Sequence, residues 1–257
     1  MEYSISLIVG MVTIIFWGGV MQGAIGFAYA LFATPLLVWI GVPLPITIVI
    51  IAVCGFIQSG LGSWRLRLEV PWRNVWMASL IRLPSIIMGV CALQSLVFLS
   101  TGHVKMMVGF TICLLVGVQM FTDVKPVERV HPFWTGLALS GSGFLFGSVG
   151  MGGPPLVMWV MAHNWSSEKT RSFLFTVSMI SAPFQIALLF LSFGPEILKS
   201  ILVSFLLAPV VLLGSWVGIP LGNRMPKILL CKIAQWVLII IGLSAAIPPF
   251  YQILINL

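Results

Sequence analysis

Gly147 to Pro155, with the sequence GSVGMGGPP, interrupts an apolar stretch in the second half of the chain. A shorter interruption, Gly23-Ala-Ile-Gly26, lies at the corresponding place in the first half. Glycines of this kind end a hydrophobic helix at membrane depth, where no water is present to pair with the freed backbone groups. Those groups must therefore face protein, a water-filled cavity or a ligand. Paired interruptions in the two halves of a membrane protein are typical of a transporter's substrate site.

The composition predicts an all-α polytopic membrane protein with a single transmembrane domain, residues 1–257. The chain is 60% hydrophobic and 7% charged, whereas a soluble domain carries roughly 25% charged residues. That shortfall is too large for a surface exposed to water. Apolar runs such as residues 43–60 and 201–218 approach the ~20 residues that cross a bilayer as a helix.

The net charge of +7 would favour nucleic-acid binding in a soluble protein. In a membrane protein it is typical of basic cytoplasmic loops, so we expect no nucleic-acid partner. The cysteines lie in apolar runs without CxxC spacing, which predicts neither a disulfide nor a metal site. The expected partners are the lipid bilayer and a small anionic substrate, with no cofactor and no catalytic residue. The sequence leaves open whether the protein forms a homodimer.

Ten apolar segments are predicted, of which the second and the seventh are too short to span a bilayer comfortably. Their approximate bounds are 4–22, 28–40, 44–62, 75–99, 104–121, 133–149, 155–163, 170–193, 199–218 and 228–252.

The basic residues decide how the short segments insert. If each interrupted pair crosses the membrane once, lysine and arginine divide six against seven, without bias. If each pair is a hairpin that enters and leaves on one side, eleven fall on one side against Lys105 and Lys199. This asymmetry is expected of cytoplasmic loops and places both termini outside the cytoplasm. The eleven are Arg65, Arg67, Arg73, Arg82, Lys125, Arg129, Lys169, Arg171, Arg224, Lys227 and Lys232.

Two halves of five segments each predict two inverted repeats, residues 1–124 and 125–257, each beginning with a glycine-broken hairpin. A shift of 124 residues superposes Gly19, Gly23 and Gly26 on Gly143, Gly147 and Gly150. A shift of 125 superposes Pro84 and Gly89 on Pro209 and Gly214. With opposite orientations, the two hairpin tips are expected to meet near the midplane of the membrane.

The run from Gly147 to Pro155, with its Gly-Gly-Pro-Pro step before a short apolar helix, resembles the second signature of the TauE/SafE family of sulfite-exporter-like permeases. The segment Gly23–Pro35 resembles the first signature, but places Phe27, Ala28, Tyr29 and Ala30 where that family has more glycines. The resemblance covers essentially the whole chain. It implies a permease of the bacterial inner membrane for the export or uptake of small sulfur oxyanions, sulfite or organosulfonates, with export as the first expectation.

The tip at Gly150–Pro155 has the features of an anion site. Glycines let a ligand approach the backbone, and Pro154 and Pro155 suit the first turn of a helix. Free N–H groups and the positive end of the helix dipole then attract an anion. The alternative is that these glycines only allow helices to pack closely.

Arg82 is the candidate cation of the site. It lies about two turns into the fourth segment, and an intramembrane arginine is by default a functional residue. The alternative is that its long side chain reaches back to the cytoplasmic surface near Arg73. The repeat-equivalent position is Leu207, so any role of Arg82 is confined to one repeat.

Polar residues also mark the third and eighth segments. Ser178, Ser181 and Gln185 share one helical face, and Gln58 lies near the end of the third segment. Such residues line a pathway or form hydrogen bonds between helices, and both interpretations stay open. Lys169 and Arg171 are interpreted as determinants of topology rather than as ligands.

All six acidic residues fall at predicted membrane edges or in loops. Without a carboxylate at membrane depth, we expect transport driven by the gradient of the anion and the membrane potential. The alternatives are an anion channel, a permease for another small carboxylate or oxyanion and, more remotely, an intramembrane enzyme. The predicted substrate-binding residues are Gln22, Gly23, Gly26, Phe27, Gln58, Arg82, Gly147, Gly150, Met151, Gly152, Gly153, Pro154, Ser181 and Gln185.

Overall fold

The computed structural model describes residues 4–96, 98, 101–121, 127, 130–224, 236, 239–240 and 242–243. Within these ranges all regular structure is helical, which confirms the predicted class. The helices are α1 (Ile5–Ile25), α2 (Tyr29–Trp39), α3 (Leu44–Arg65), α4 (Trp72–Leu96), α5 (Thr101–Phe121), α6 (Pro132–Val149), α7 (Gly153–Met161), α8 (Ser167–Phe193) and α9 (Glu196–Arg224). A 3-10 turn, Arg67–Glu69, joins α3 to α4.

The first nine predicted segments correspond to α1–α9, and the tenth, 228–252, lies largely outside the described residues. Six stretches of the described chain are long and apolar enough to cross a membrane. The chain is therefore a multi-pass membrane protein. The six are Ile5–Ile25, Leu44–Arg65, Trp72–Leu96, Gly102–Gln119, Ser167–Phe193 and Glu196–Leu221.

Both glycine interruptions end a helix, the first three residues later than the predicted bound of residue 22 and the second at the predicted residue 149. Helix α1 continues through Gly23 and ends at Gly26, which has a left-handed φ of 92°. Helix α6 continues through Gly147 and ends at Gly150, with a φ of 75°. Glycine suits this conformation because it has no Cβ to clash with the following carbonyl. The predicted breaks therefore exist, with only the last glycine of each motif at the turn.

Each broken pair folds into an antiparallel hairpin. In the first hairpin, formed by α1 and α2, a Cβ on Gly10 would lie 3.4 Å from the side chain of Ile40. In the second, formed by α6 and α7, the Nε1 of Trp159 donates to the Oγ1 of Thr135 at 3.1 Å. The start of α1 thus lies beside the end of α2, and the start of α6 beside the end of α7.

The two hairpins open at opposite ends of the helix bundle. At the open end of the first, Lys105 at the start of α5 donates to the backbone oxygen of Trp39 at 3.2 Å. Helix α3 leaves that end and runs 22 residues to Arg65, roughly 33 Å at 1.5 Å per residue. The second hairpin opens at this far end, where Trp159 packs against Trp165 just before α8. The interpretation of the halves as inverted repeats stays a prediction.

Glycines bring two helix pairs into backbone contact. On α1, a Cβ at Gly19 would lie 2.6 Å from the backbone oxygen of Val211 on α9. On α6, a Cβ at Gly143 would lie 2.5 Å from the backbone oxygen of Arg82 on α4. Close contacts of this kind are how membrane helices associate in the absence of a hydrophobic driving force.

Helices α3 and α8 form the centre of the bundle. The hydroxyl groups of Ser63 and Thr176 form a buried hydrogen bond of 2.8 Å between them. Gln58 on α3 donates to the backbone oxygen of Gly19 at 3.2 Å and also to the hydroxyl of Ser215 on α9. These polar contacts fix the C-terminal half of α3 against α1, α8 and α9.

We expect Gly147→Ala to destabilise the protein, because a Cβ at Gly147 would overlap the backbone oxygen of Ile86 on α4. Overpacking of this kind costs about 1–3 kcal/mol, and the loss should appear as a lower melting temperature in detergent. The matched control is Gly141→Ala on the same helix, where a Cβ meets nothing within 4 Å. That change should be neutral or gain up to about 1 kcal/mol in helix propensity. Equal melting temperatures for the two variants would contradict the proposed contact.

Candidate functional site

A small cavity lies between the tips of the two hairpins, and we call it the central cavity. Its volume is about 80 Å³, and one water needs roughly 10–15 Å³ on this measure. The cavity therefore has room for a solute of several heavy atoms, such as a small oxyanion. Its lining includes Gln22, Gly26, Phe27, Ala28, Ser59, Arg82, Phe146, Gly150, Gly152, Gly153 and Ser178.

The hairpin tips contact each other, as the interruptions lead one to expect. A Cβ on Gly153 would lie 4.0 Å from the side chains of both Phe27 and Leu31. A Cβ on Gly150 would lie 3.8 Å from the hydroxyl of Thr34 on α2. Backbone from both hairpins therefore borders one enclosed space.

The first tip presents a run of unpaired backbone donors. The N–H of Gly26 donates to the carbonyl of Gln22 at 2.7 Å, and the next backbone donor in the chain is Phe32, bonded to Ala28. The N–H groups of residues 27–31 have no acceptor within the described part of the chain. Ala28, with a φ of 87°, holds a left-handed conformation that costs a non-glycine residue about 1–2 kcal/mol. Such strain is typical of functional sites.

The second tip has fewer free donors than the sequence suggested. The N–H groups of Gly150 and Met151 are bonded to the carbonyls of Phe146 and Leu145. Pro154 and the following proline have no N–H, as expected for the first turn of α7. Among the described residues of this tip, Gly152 and Gly153 are left as the unpaired backbone donors.

Arg82 lies inside the protein and not at its surface, so it does not reach back to the membrane face. Its side chain is 1% exposed, and its Nη1 donates to the hydroxyl of Ser181 at 3.2 Å. Its Cζ lies 5.3 Å from the ring centroid of Phe146. A Cβ on Gly152 would lie 3.2 Å from its Nη2. The guanidinium therefore lies against the second tip, at the central cavity.

No carboxylate neutralises this guanidinium within the described residues. The acidic residues in that part of the chain, Glu69, Glu168 and Glu196, are all exposed. The Nε of Arg82 is buried without a partner in the described part of the chain. Burying an unpaired charge costs several kcal/mol, and an intramembrane arginine with this surplus of donors is suited to hold an anion.

The structure divides the predicted site residues into two groups. Gln22, Gly26, Phe27, Arg82, Gly150, Gly152 and Gly153 line the central cavity. Gly23, Gln58, Gly147, Met151, Pro154, Ser181 and Gln185 do not line it.

Most members of the second group support the site indirectly. Gln185 donates to the backbone oxygen of Phe146, beside Arg82, and Ser181 accepts from Arg82 itself. Gly23 and Gly147 lie in contacts with α9 and α4. Met151 is fully buried in the apolar core.

Two residues beside the first tip were not among the predicted ligands. Ser59 lines the central cavity with a buried hydroxyl that has no partner in the described chain. It lies one helical turn after Gly55 and two turns after Ala52, which line the same cavity, and that spacing was a usable signal. Arg171, interpreted from the sequence as a determinant of topology, donates from Nη2 to the backbone oxygen of Gly23 at 3.1 Å. The two partners are 148 residues apart, and no local pattern reveals such a contact.

The comparisons with known proteins decide the family. A family model described as "Sulfite exporter TauE/SafE" matches residues 11–245. The chain belongs to the TauE/SafE family. No curated protein and no solved structure matches it. Membership in TauE/SafE implies a membrane permease. The match includes Arg82, Arg171 and both hairpins apart from the first six residues of α1.

We expect Gly26→Ala to disturb this TauE/SafE protein more than Gly41→Ala does. Both glycines have a left-handed φ, 92° and 101°, so both alanines carry the same strain of about 1–2 kcal/mol. At Gly41 a Cβ meets nothing within 4 Å, whereas at Gly26 it would lie 2.9 Å from the Cγ of Arg171. The measurement is the melting temperature of each variant in detergent. An equal drop for both would show that the Arg171 side chain moves aside freely, contrary to the contact described here.

Proposed function

We propose that this protein is a permease that moves small sulfur oxyanions, sulfite or an organosulfonate, out of the cell across the bacterial inner membrane. The TauE/SafE match supports the substrate class. The central cavity supports a solute of this size and charge, because it joins unpaired N–H groups from two helix ends to one guanidinium.

The observation that carries the proposal is the burial of Arg82 between the two tips without an acidic partner in the described chain. A protein gains nothing in stability from such a charge. A bound oxyanion would accept from the free guanidinium nitrogens and from the N–H groups of Gly152 and Gly153, and would thereby neutralise the charge.

The orientation is part of the proposal. Arg65 and Arg171 border one cavity at the end of the bundle where the second hairpin opens, while Lys105 lies at the other end. By the positive-inside rule, the first end faces the cytoplasm, and both termini then lie outside it. Helices α1 and α9, and α6 and α4, pack through corresponding glycines, which supports two inverted repeats of residues 1–124 and 125–257.

We expect Arg82→Gln to lower sulfite efflux from proteoliposomes by about tenfold to a hundredfold at subsaturating substrate. Hydrogen bonds to a charged group contribute about 1.5–3 kcal/mol each, and glutamine can replace neither the charge nor the fork geometry. Arg82→Lys keeps the charge but not the fork geometry, so its efflux rate should lie between that of Arg82→Gln and that of the wild type. Sulfite release is measured with an oxidation-coupled dye.

The matched control is Arg73→Gln, which removes one charge from an exposed position on the same helix and should leave efflux unchanged. Melting temperature separates loss of the site from misfolding, because removing an unpaired buried charge should not destabilise the protein. Wild-type efflux by Arg82→Gln would contradict the proposed site. Saturable flux stimulated by counter-substrate distinguishes a carrier from an anion channel, and competition by carboxylates tests the alternative substrate class.

We expect efflux to follow the membrane potential. The described chain has no carboxylate at membrane depth that could carry a coupling proton. A potential of about 100 mV, negative inside, favours export of one negative charge by ~2.3 kcal/mol. Proteoliposomes with potassium and valinomycin set the voltage at equal pH on both sides. Strict dependence on a pH gradient at fixed voltage would refute this driving force.

A further inference from the structure

A second cavity lies at the end of the bundle where α3 ends and α8 begins, and we call it the basic vestibule. Its volume is about 280 Å³. Two arginines, Arg65 and Arg171, and one acid, Glu168, line it, together with the polar residues Gln58 and Ser215. The charged side chains therefore leave one net positive charge in this cavity.

Arg171 is built into the wall of the vestibule and is not a freely solvated side chain. Its Nη2 donates to the backbone oxygen of Gly23 at 3.1 Å, and its Nε is buried without a partner among the described residues. Gly23 lies in the last turn of α1, where carbonyl groups have no N–H partner within the helix. The cation thus stabilises the negative end of the α1 dipole while retaining an unused donor.

The vestibule and the central cavity lie on either side of the same two helix segments. Gln22 on α1 and Ser59 on α3 line the central cavity. Their chain neighbours Gly23 and Gln58 line the vestibule. The end of α1 and the adjoining part of α3 therefore form the partition between the two cavities, and Arg171 contacts that partition directly.

We propose that the basic vestibule is a second anion-binding site, in which Arg171 and Arg65 hold a small oxyanion before it passes the partition to Arg82. This inference rests on the proposed function and names a further site on the same route. The recognising chemistry is two guanidinium groups, which bind planar or tetrahedral oxyanions through paired N–H donors. Arg171 is shared between the anion and the carbonyl of Gly23. Binding of an anion in the vestibule therefore alters the contact that Arg171 makes with the first hairpin tip.

Glu168 provides a test in which the expected change in anion affinity is opposite to that of the arginine variants. Its carboxylate borders the vestibule beside Arg171, so it opposes an incoming anion. Glu168→Gln should tighten binding in the vestibule by about twofold to fivefold, the range of exposed ion pairs. Arg171→Gln and Arg65→Gln should weaken it. A contribution of these residues to folding alone predicts no such reversal.

The experiment is calorimetric titration of sulfite into the purified full chain in lipid nanodiscs at low ionic strength. We expect each wild-type chain to bind two equivalents of sulfite, and each Arg82→Gln or Arg171→Gln chain to bind one. The exposed Arg65→Gln tests the vestibule if Arg171→Gln fails to fold. The matched control is Lys169→Gln, which removes a charge two residues from Arg171. Lys169 stacks on Trp165 and does not line the vestibule. This substitution should leave the binding of both sulfite equivalents unchanged.

The outcomes separate this inference from the proposed function. A single wild-type equivalent that Arg82→Gln abolishes would overturn the vestibule site and leave the proposed function standing. A single equivalent that Arg171→Gln abolishes and Arg82→Gln does not would support the vestibule and contradict the central site. Unchanged affinity in Glu168→Gln, with two equivalents bound, would overturn the assignment of the second equivalent to the vestibule.

Discussion

The burial of one guanidinium at the meeting point of two broken helices is the constraint on which the candidate site depends. Arg82 is 1% exposed, and its hydrogen-bond partner in the described chain is the neutral hydroxyl of Ser181. Its position follows from backbone contact between α4 and α6. Gly143 faces the backbone oxygen of Arg82 itself, and any larger residue there would push α4 and its cation away from the second tip.

The two tips contribute to the site in different ways. The second tip has prolines that remove donors, and a glycine, Gly152, that leaves room for the Nη2 of Arg82. The first tip has no proline in its first turn and leaves the N–H groups of residues 27–31 unpaired. The second hairpin therefore supplies space for the cation and two free N–H groups, and the first supplies a longer run of backbone dipoles. The residues Phe27, Ala28, Tyr29 and Ala30 fit this division, because each of them keeps its backbone donor and no cation has to be accommodated there.

The helices and both breaks can be predicted from the sequence because hydrophobic length and glycine placement act locally. The sequence also places Arg82 on α4, but it leaves open whether the guanidinium lies in the interior or at the membrane surface. That choice depends on which face of α4 meets α6, and Gly89 identifies this face only once the partner helix is known. The contacts of Arg171 with Gly23, and of Gln58 with Ser215, join residues far apart in the chain. Only tertiary packing brings such pairs together.

The break in the first hairpin separates the two poles of the helix dipole. The carbonyl end of α1 is negative and faces Arg171, on the side of the vestibule. The N-terminal end of α2 is positive and faces the central cavity, on the side of Arg82. A continuous helix would present neither pole at this depth, because its backbone groups would pair with one another. By interrupting the helix, Gly26 places a negative and a positive pole next to each other inside the bundle, with the guanidinium of Arg171 bonded at the negative one.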